Sequence, residues 1–441
     1  MKLIVSELPR DLAELKELLI NTNPVDIADG IEQLSDQEAI KLFRLLPKDN
    51  AAEVFAYLSR EIQESIIHGI KDNEISHIID ELFLDDAVDF IEEMPAGVVK
   101  RVLSQLPAEK RDMINSFLKY PEGSSGSIMT IEYVDLKEHL TVSEAFERIR
   151  KDGVDKETIY TCYVIDAARH LLGAISVKTL LLAKLDAKIG DIMERDIVFG
   201  TTTDDKESIA NDFRKYGLLA MPIVDNEQRL IGIVTVDDVL EIQEEEATED
   251  FELMAALSPS DDSYLKTSTW RLTKNRLPWL MLLMLTATVT GSIIAGFEDV
   301  FEVMPVLITF IPMLMDTGGN SGAQSSTLVI RGIALEEITQ SDILRVWWKE
   351  LRVAVICGAA LASVNFVRVV IMQGDPIIAF SVSLSLYVTV IIAKSIGCLL
   401  PQLANRLKLD PAVMASPIIT TIVDACSLLV FFVIAKTILG I

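Results

Sequence analysis

Charged and apolar residues are segregated along this chain, and that segregation limits the fold more than any other feature. Of 441 residues, 50% are hydrophobic, yet 24% are charged and the net charge is −26. Before about Lys266 no apolar run is long enough to cross a bilayer, whereas after Leu277 such runs dominate. The pattern predicts a large acidic soluble region followed by a membrane domain. Met1-Lys2-Leu3-Ile4-Val5-Ser6-Glu7 turns acidic at once, which predicts no signal peptide and a soluble half that stays in the cytoplasm.

Five spans are expected in the membrane half, at about 277–297, 301–330, 351–372, 379–401 and 411–438. Arg271, Lys274 and Arg276 precede the first, Arg331, Arg345, Lys349 and Arg352 separate the second and third, and Arg406 and Lys408 separate the last two. Basic residues collect on the cytoplasmic side, so the N-terminus is expected inside and the C-terminus outside a plasma membrane. Glu336 to Trp348 reads as an interfacial helix, whereas Lys394, inside the fourth span, has no evident place.

Two of these spans carry chemistry. The second holds Asp316-Thr317-Gly318-Gly319-Asn320-Ser321-Gly322 within an otherwise apolar run, and the fifth holds Pro417-Ile418-Ile419-Thr420-Thr421-Ile422-Val423-Asp424. A carboxylate at membrane depth costs about 2.5–3.5 kcal/mol even on a lenient scale, so Asp316 and Asp424 should face a cavity or pore. The donors around them are hard oxygens, with no soft ligands nearby. Thr420 and Thr421 add hydroxyls, and Pro417 should free a carbonyl nearby. A small-residue packing face accounts for the glycines but leaves Asp316 and Asn320 unexplained.

In the soluble half, residues 1–127 read as short helices broken at Pro24, Pro47, Pro95 and Pro107, with a faint internal echo that suggests a small solenoid. Beyond the linker Gly123–Ser127, strands alternate with helices in two similar halves. Ser127-Ile128-Met129 answers Asp191-Ile192-Met193, and Leu172-Gly173-Ala174-Ile175 answers Ile231-Gly232-Ile233-Val234. These halves resemble a tandem pair of CBS domains, small α/β modules that enclose ligand clefts. That likeness makes Asp237, after the fuller second motif, the candidate adenine-nucleotide contact; a purely structural pair stays open. From Asp237 to Asp250 the chain then places eight acids in fourteen residues with no base, and a helix is expected to run on to about Leu265. Asp238, Glu241, Glu245 and Glu249 share one face of it, and like charges that close need a neutralising partner.

Several classes are excluded. Four scattered cysteines and four unclustered histidines fit no zinc site or disulfide framework. Such an acidic chain lacks the basic patches that nucleic acid requires, and no nucleophile–base set points to an enzyme.

An acidic helical region, tandem CBS halves, an acidic connecting helix and five spans bearing those two motifs together resemble the MgtE-type magnesium channels over essentially the whole chain. The resemblance implies a multidomain protein: a helical solenoid-like N domain (1–127), an α/β CBS pair (128–190 and 191–243), a connecting helix (244–270) and an all-α five-helix membrane domain (271–441). It implies a homodimer in the membrane lipid whose two-fold axis holds a Mg²⁺ pore, closed by Mg²⁺ on the cytosolic domains. Matched by motif, Asp424 would hold hydrated Mg²⁺ with Asn320 beside it. Asp85, Asp89, Asp205, Glu207, Asp238, Glu241, Glu246, Glu249 and Asp250 would be the cytosolic ligands. Ala425-Cys426-Ser427 departs from a Thr-Gly pair common in the family, and Gly217 stands where some members carry an acid. The rival readings are a secondary divalent-cation carrier with intramembrane Asp as ion or proton relay, and a membrane-anchored Mg²⁺ sensor.

Overall fold

The computed structural model describes residues 11–260, 264, 267–414 and 416–440. The chain divides into two compact units that meet at Gln243/Glu244.

The first unit begins with helices α1 (Leu12–Asn21), α2 (Pro24–Ile31), α3 (Asp36–Phe43), α4 (Lys48–Ala56), α5 (Arg60–Gly69), α6 (Asp72–Glu81), α7 (Leu84–Glu93), α8 (Ala96–Gln105) and α9 (Ala108–Phe117). Proline sets several of these starts: Pro24 is in the first turn of α2, and Pro47, Pro95 and Pro107 are the N-caps of α4, α8 and α9. There its missing N–H costs nothing. Helices two apart in sequence pack together (α2 on α4, α3 on α5, α4 on α6, α6 on α8, α7 on α9), which is the stacking of a solenoid.

The two CBS halves follow. The first holds β1 (Tyr133–Leu136), α10 (Val142–Asp152), β2 (Thr158–Ile165), β3 (Leu171–Ser176), α11 (Val177–Leu182) and α12 (Ile189–Ile192). The second holds β4 (Gly200–Thr201), α13 (Lys206–Tyr216), β5 (Ala220–Val224), β6 (Leu230–Thr235) and α14 (Val236–Met254). Each half makes a three-stranded mixed sheet, one parallel and one antiparallel pairing. The halves also exchange short segments: Thr130 bridges to Ile233, and Glu194 to Ala174. Glycine is required at both crossings. A Cβ on Gly232 would stand 2.6 Å from the Thr130 carbonyl oxygen, and one on Gly173 2.3 Å from that of Glu194. One apolar core runs from the solenoid into the second half, joining Phe55, Val88 and Phe90 with Met129, Phe213, Met221 and Val239.

The second unit contains the end of α14 and then α15 (Thr269–Ala295), α16 (Glu298–Val303), α17 (Ile311–Ala334), α18 (Ile343–Gln373), α19 (Pro376–Arg406) and α20 (Ser416–Leu439). Among the described residues, four stretches are long and apolar enough to cross a membrane: 269–295, 340–373, 376–406 and 411–439. α17 has 24 residues, about 36 Å of helix, and falls short of the others only because its middle is polar. The core gathers on α19, with Phe297 stacked on Phe432 at 4.4 Å.

Four expectations need correction. The second span is not one helix from 301: Pro305 opens a 3₁₀ turn over Pro305–Phe310, and α17 starts afresh at Ile311 with Pro312 in its first turn. Trp347 and Trp348 lie inside α18, not in a separate interfacial helix. The connecting helix stops at Met254, eleven residues short of Leu265, where Ala256 turns left-handed (φ 55°) ahead of Pro259. Pro417 lies in the first turn of α20, so it frees no carbonyl; its own carbonyl accepts from Thr421 Oγ1 at 2.9 Å.

Candidate functional site

α17 has two faces with different work. Gly318, Gly319, Gly322, Ser321, Ser325 and Ser326 are buried, whereas Asp316, Asn320, Gln324 and Thr327 are exposed. The glycines admit neighbouring helices: a Cβ on Gly319 would meet Thr420 Cγ2 at 2.3 Å, and one on Gly318 would meet Ser427 Oγ at 2.9 Å. The tightest crossing is against α19, where a Cβ on Gly397 would stand 2.2 Å from the Gly322 carbonyl oxygen. Gly397→Ala should therefore cost about 1–3 kcal/mol of stability, read as a lower unfolding temperature in detergent. The packing reading thus explains the glycines and the polar reading the acid and the amides, each on its own face.

Asp424 sits in the N-terminal half of α20, and its Oδ1 is buried without a hydrogen-bond partner. Asp316 is the charge that acts most on it. Nothing in the described residues neutralises that oxygen by hydrogen bonding. A buried carboxylate left so is costly unless a cation or solvent reaches it. Asn320 lies one turn beyond Asp316 on α17, and Thr420 packs against Gly319 between them.

The first unit gathers a second set of acids. Asp85 and Asp86 open α7, Asp237 and Asp238 open α14, Glu241 lies one turn on, and Glu132 and Glu157 precede β1 and β2. Asp85 is 7% exposed, and burial first, then Asp238, drives its carboxyl well above the carboxylate range. Burial and Asp238 also push Asp86 up to about 7 and Glu157 to about 8. Burial raises Asp238 to about 6 even though Thr235 Oγ1 donates to it at 2.6 Å. Glu157 Oε2 is buried and without a hydrogen-bond partner. The leading charges acting on all four are negative. Desolvated, mutually repelling carboxylates are a donor set suited to a hard divalent cation. Among the described residues no three His, Cys, Asp or Glu converge as an all-protein cage.

A third group belongs to the second unit. The end of α14 packs Leu253 and Met254 against Ile330 of α17 and Ala412 ahead of α20. Beside that contact, burial first and then Asp410, Glu246 and Glu249 push Asp250 up to about 6.

The expected residues thus sort unevenly. Asp85, Asp238 and Glu241 come together with Asp237, while Asp89 is exposed one turn further along α7. Asp205 has a local role, capping α13 by accepting from the Glu207 backbone N–H at 2.9 Å. Gly217 is the left-handed C-cap of α13 (φ 65°). Glu132, Asp86, Glu157, Asp410 and Gln324 were not singled out as ligands from sequence. For Gln324 the signal existed, since Asp316, Asn320 and Gln324 recur every fourth residue. Glu157 and Asp410 carry no local mark.

A polar helix packed among apolar ones, with an orphaned carboxylate beside it, has the donor chemistry for a hard cation among apolar helices. Family models match in three places: a divalent cation transporter domain over residues 311–434, the MgtE intracellular N domain over 22–123, and a CBS domain over 189–245. The magnesium transporter MgtE of Thermus thermophilus is 36% identical over 97% of this chain and 96% of its own. That of Bacillus subtilis is 30% identical over 96% and 94%. Among solved structures, the cytosolic domain of the Mg²⁺ channel MgtE in complex with ATP covers 54% of this chain and 100% of its own (33% identity, TM-score 0.52). The soluble part of a magnesium transporter is similar over 54% and 93% (28%, 0.51). The chain belongs to the MgtE family of magnesium transporters, multi-pass membrane proteins, and the two relatives that it matches over nearly its whole length are named magnesium transporters.

Proposed function

We propose that this chain is a passive Mg²⁺ channel, working as a homodimer in the plasma membrane, with its soluble half in the cytoplasm and its C-terminus outside. The observation that carries this reading is the buried, unpartnered Oδ1 of Asp424 beside the polar face of α17. Mg²⁺ sheds water reluctantly, so a hydrated ion needs few protein ligands. Asp424 from each of two copies would hold it through water, with Asp316, Asn320, Thr420 and Thr421 shaping the path. The membrane potential supplies about 4.6 kcal/mol per 100 mV for a divalent ion, enough to drive inward flux unaided.

Closure is assigned to the acidic clusters. Bound Mg²⁺ supplies the positive charge that Asp85, Asp86, Glu157 and Asp238 lack. With that charge missing, the ionised carboxylates repel, and the solenoid's hold on the second CBS half weakens. α14 continues unbroken from Val236 to Met254, so it links the cluster to the Leu253 and Met254 contact with α17. Glu241, Glu246, Glu249, Asp250 and Asp410 extend the acidic path; Asp89, Asp205 and Glu207 are further ligands in this reading. The domain limits at 127, 190, 243 and 270 follow the same scheme. The ATP complex of a similar cytosolic domain supports adenine nucleotide at the CBS pair. Asp237 is its candidate contact, although in this chain its carboxylate acts on Asp86 and Glu157.

Selectivity gives a direct test. Asn320→Ala should leave assembly intact and lower the ratio of Mg²⁺ to Ca²⁺ flux in reconstituted vesicles about tenfold, the effect of losing about 1.4 kcal/mol of discrimination. An unchanged ratio would remove Asn320 from the path.

A further inference from the structure

Lys394, without a place by sequence, lies inside the second unit with only 5% of its surface exposed. Its Nζ donates to Ser325 Oγ at 3.3 Å, and that same hydroxyl donates to Glu350 Oε2 at 2.7 Å. Ser325 itself is completely buried. One hydroxyl therefore joins three helices: α17 through Ser325, α18 through Glu350 and α19 through Lys394. Ser325 lies five residues after Asn320 and nine after Asp316 on α17.

Burying an ammonium beside a half-buried carboxylate among apolar helices is expensive, and a matched apolar pair would pack at least as well. What such a bridge supplies is a unique register, because only one rotation and height of α17 brings Ser325 between the two charges. Around Gly318, Gly319 and Gly322 the packing of α17 is steric, small residues admitting Thr420, Ile419 and Ser427, and the bridge adds a directional, charged contact to it. At the adjoining Gly322–Gly397 crossing the contact between α17 and α19 is backbone on backbone, so no polar or charged side chain fixes the two helices there.

We propose that Lys394 and Glu350 are positioning residues for ion passage, fixing α17 through Ser325 so that Asp316 and Asn320 present their exposed face in one orientation. The inference rests on the channel reading of α17 and α20. It assigns selectivity, and not only folding, to a charge pair that faces away from the path.

The experiment uses the full-length protein in vesicles, with Ser325→Ala, Lys394→Gln, Glu350→Gln and the Lys394→Gln/Glu350→Gln double variant. Mg²⁺ flux, Ca²⁺ flux and detergent unfolding temperature are measured for each. Ser325→Ala, which removes one oxygen and keeps the helix, is expected to lower the Mg²⁺/Ca²⁺ flux ratio about tenfold. The double variant, free of an unpaired buried charge, should unfold within a few degrees of wild type yet keep the lowered ratio. A double variant with restored stability and a wild-type flux ratio would overturn the proposal, leaving the bridge a packing device. Should Lys394→Gln or Glu350→Gln fail to fold, Ser325→Ala decides alone, and a wild-type flux ratio in it overturns the proposal. Asp424→Ala, run in parallel, separates the two readings: wild-type flux in that variant refutes the channel assignment, whatever the bridge does.

Discussion

Asp424→Ala protein is expected to assemble and unfold like wild type while its Mg²⁺ uptake falls at least a hundredfold. The carboxylate has no hydrogen bond through Oδ1, so removing it deletes no structural contact there and relieves a burial cost. Stability should hold or rise. Transport should not, because no other carboxylate on α20 could take its place: Asp424 is the only acid between Ser416 and Leu439. A loss of about 2.7 kcal/mol from a hydrated-ion site corresponds to a hundredfold. Asp424→Asn, which keeps the size and drops the charge, should resemble Ala in flux. Tracer uptake of Mg²⁺ into vesicles at matched protein density checks both, and wild-type uptake in either contradicts the pore role.

The second large effect concerns pH and Mg²⁺ together. Burial, with like charges around them, pushes the carboxyls of Glu157, Asp86 and Asp238 up to about 8, 7 and 6 in the folded protein, against about 4 in an unfolded chain. Because the folded values are raised, the protonated forms favour packing. That contribution is complete below about pH 4 and is lost as pH rises through about 6 to 8. At about 4 Å and an effective dielectric near 20, each ionised pair costs roughly 4 kcal/mol before screening, and salt removes much of it. Without divalent cation, proteolysis between α7 and the second CBS half should accelerate about tenfold from mildly acidic to mildly alkaline buffer. Millimolar Mg²⁺ should abolish that rise. Asp86→Asn with Glu157→Gln should flatten the pH dependence and blunt the Mg²⁺ response together. Equal protection by a monovalent salt of the same ionic strength would show that screening alone acts, and the bridging account would fail.

Local chemistry made much of the architecture legible. Pro24, Pro47, Pro95 and Pro107 mark helix starts because a missing N–H costs nothing in the first turn. The doubled Met129/Met193 and Gly173/Gly232 pattern exposes the CBS pair because each glycine must accept the other half's backbone. Where readings missed, the deciding contact was distant in sequence. Glu157 joins Asp86 only through the packing of the solenoid on the CBS halves, and Asp410 joins Asp250 only through the Leu253–Ala412 contact. Lys394 needed Ser325 and Glu350, on two other helices, before its charge had a place. Acidic residues extend a helix by propensity, but left-handed Ala256 ahead of Pro259 ends α14 at Met254.

Current through a planar bilayer holding the purified protein, with Mg²⁺ varied on each side, tests passive, Mg²⁺-closed conduction most directly. The account predicts a reversal potential that moves about 30 mV per tenfold Mg²⁺ gradient, the value for a freely passing divalent ion. It also predicts a current that falls as Mg²⁺ rises through millimolar levels on the side of the soluble domains. A reversal potential that follows the pH gradient instead, or a current indifferent to Mg²⁺ on that side, would contradict it.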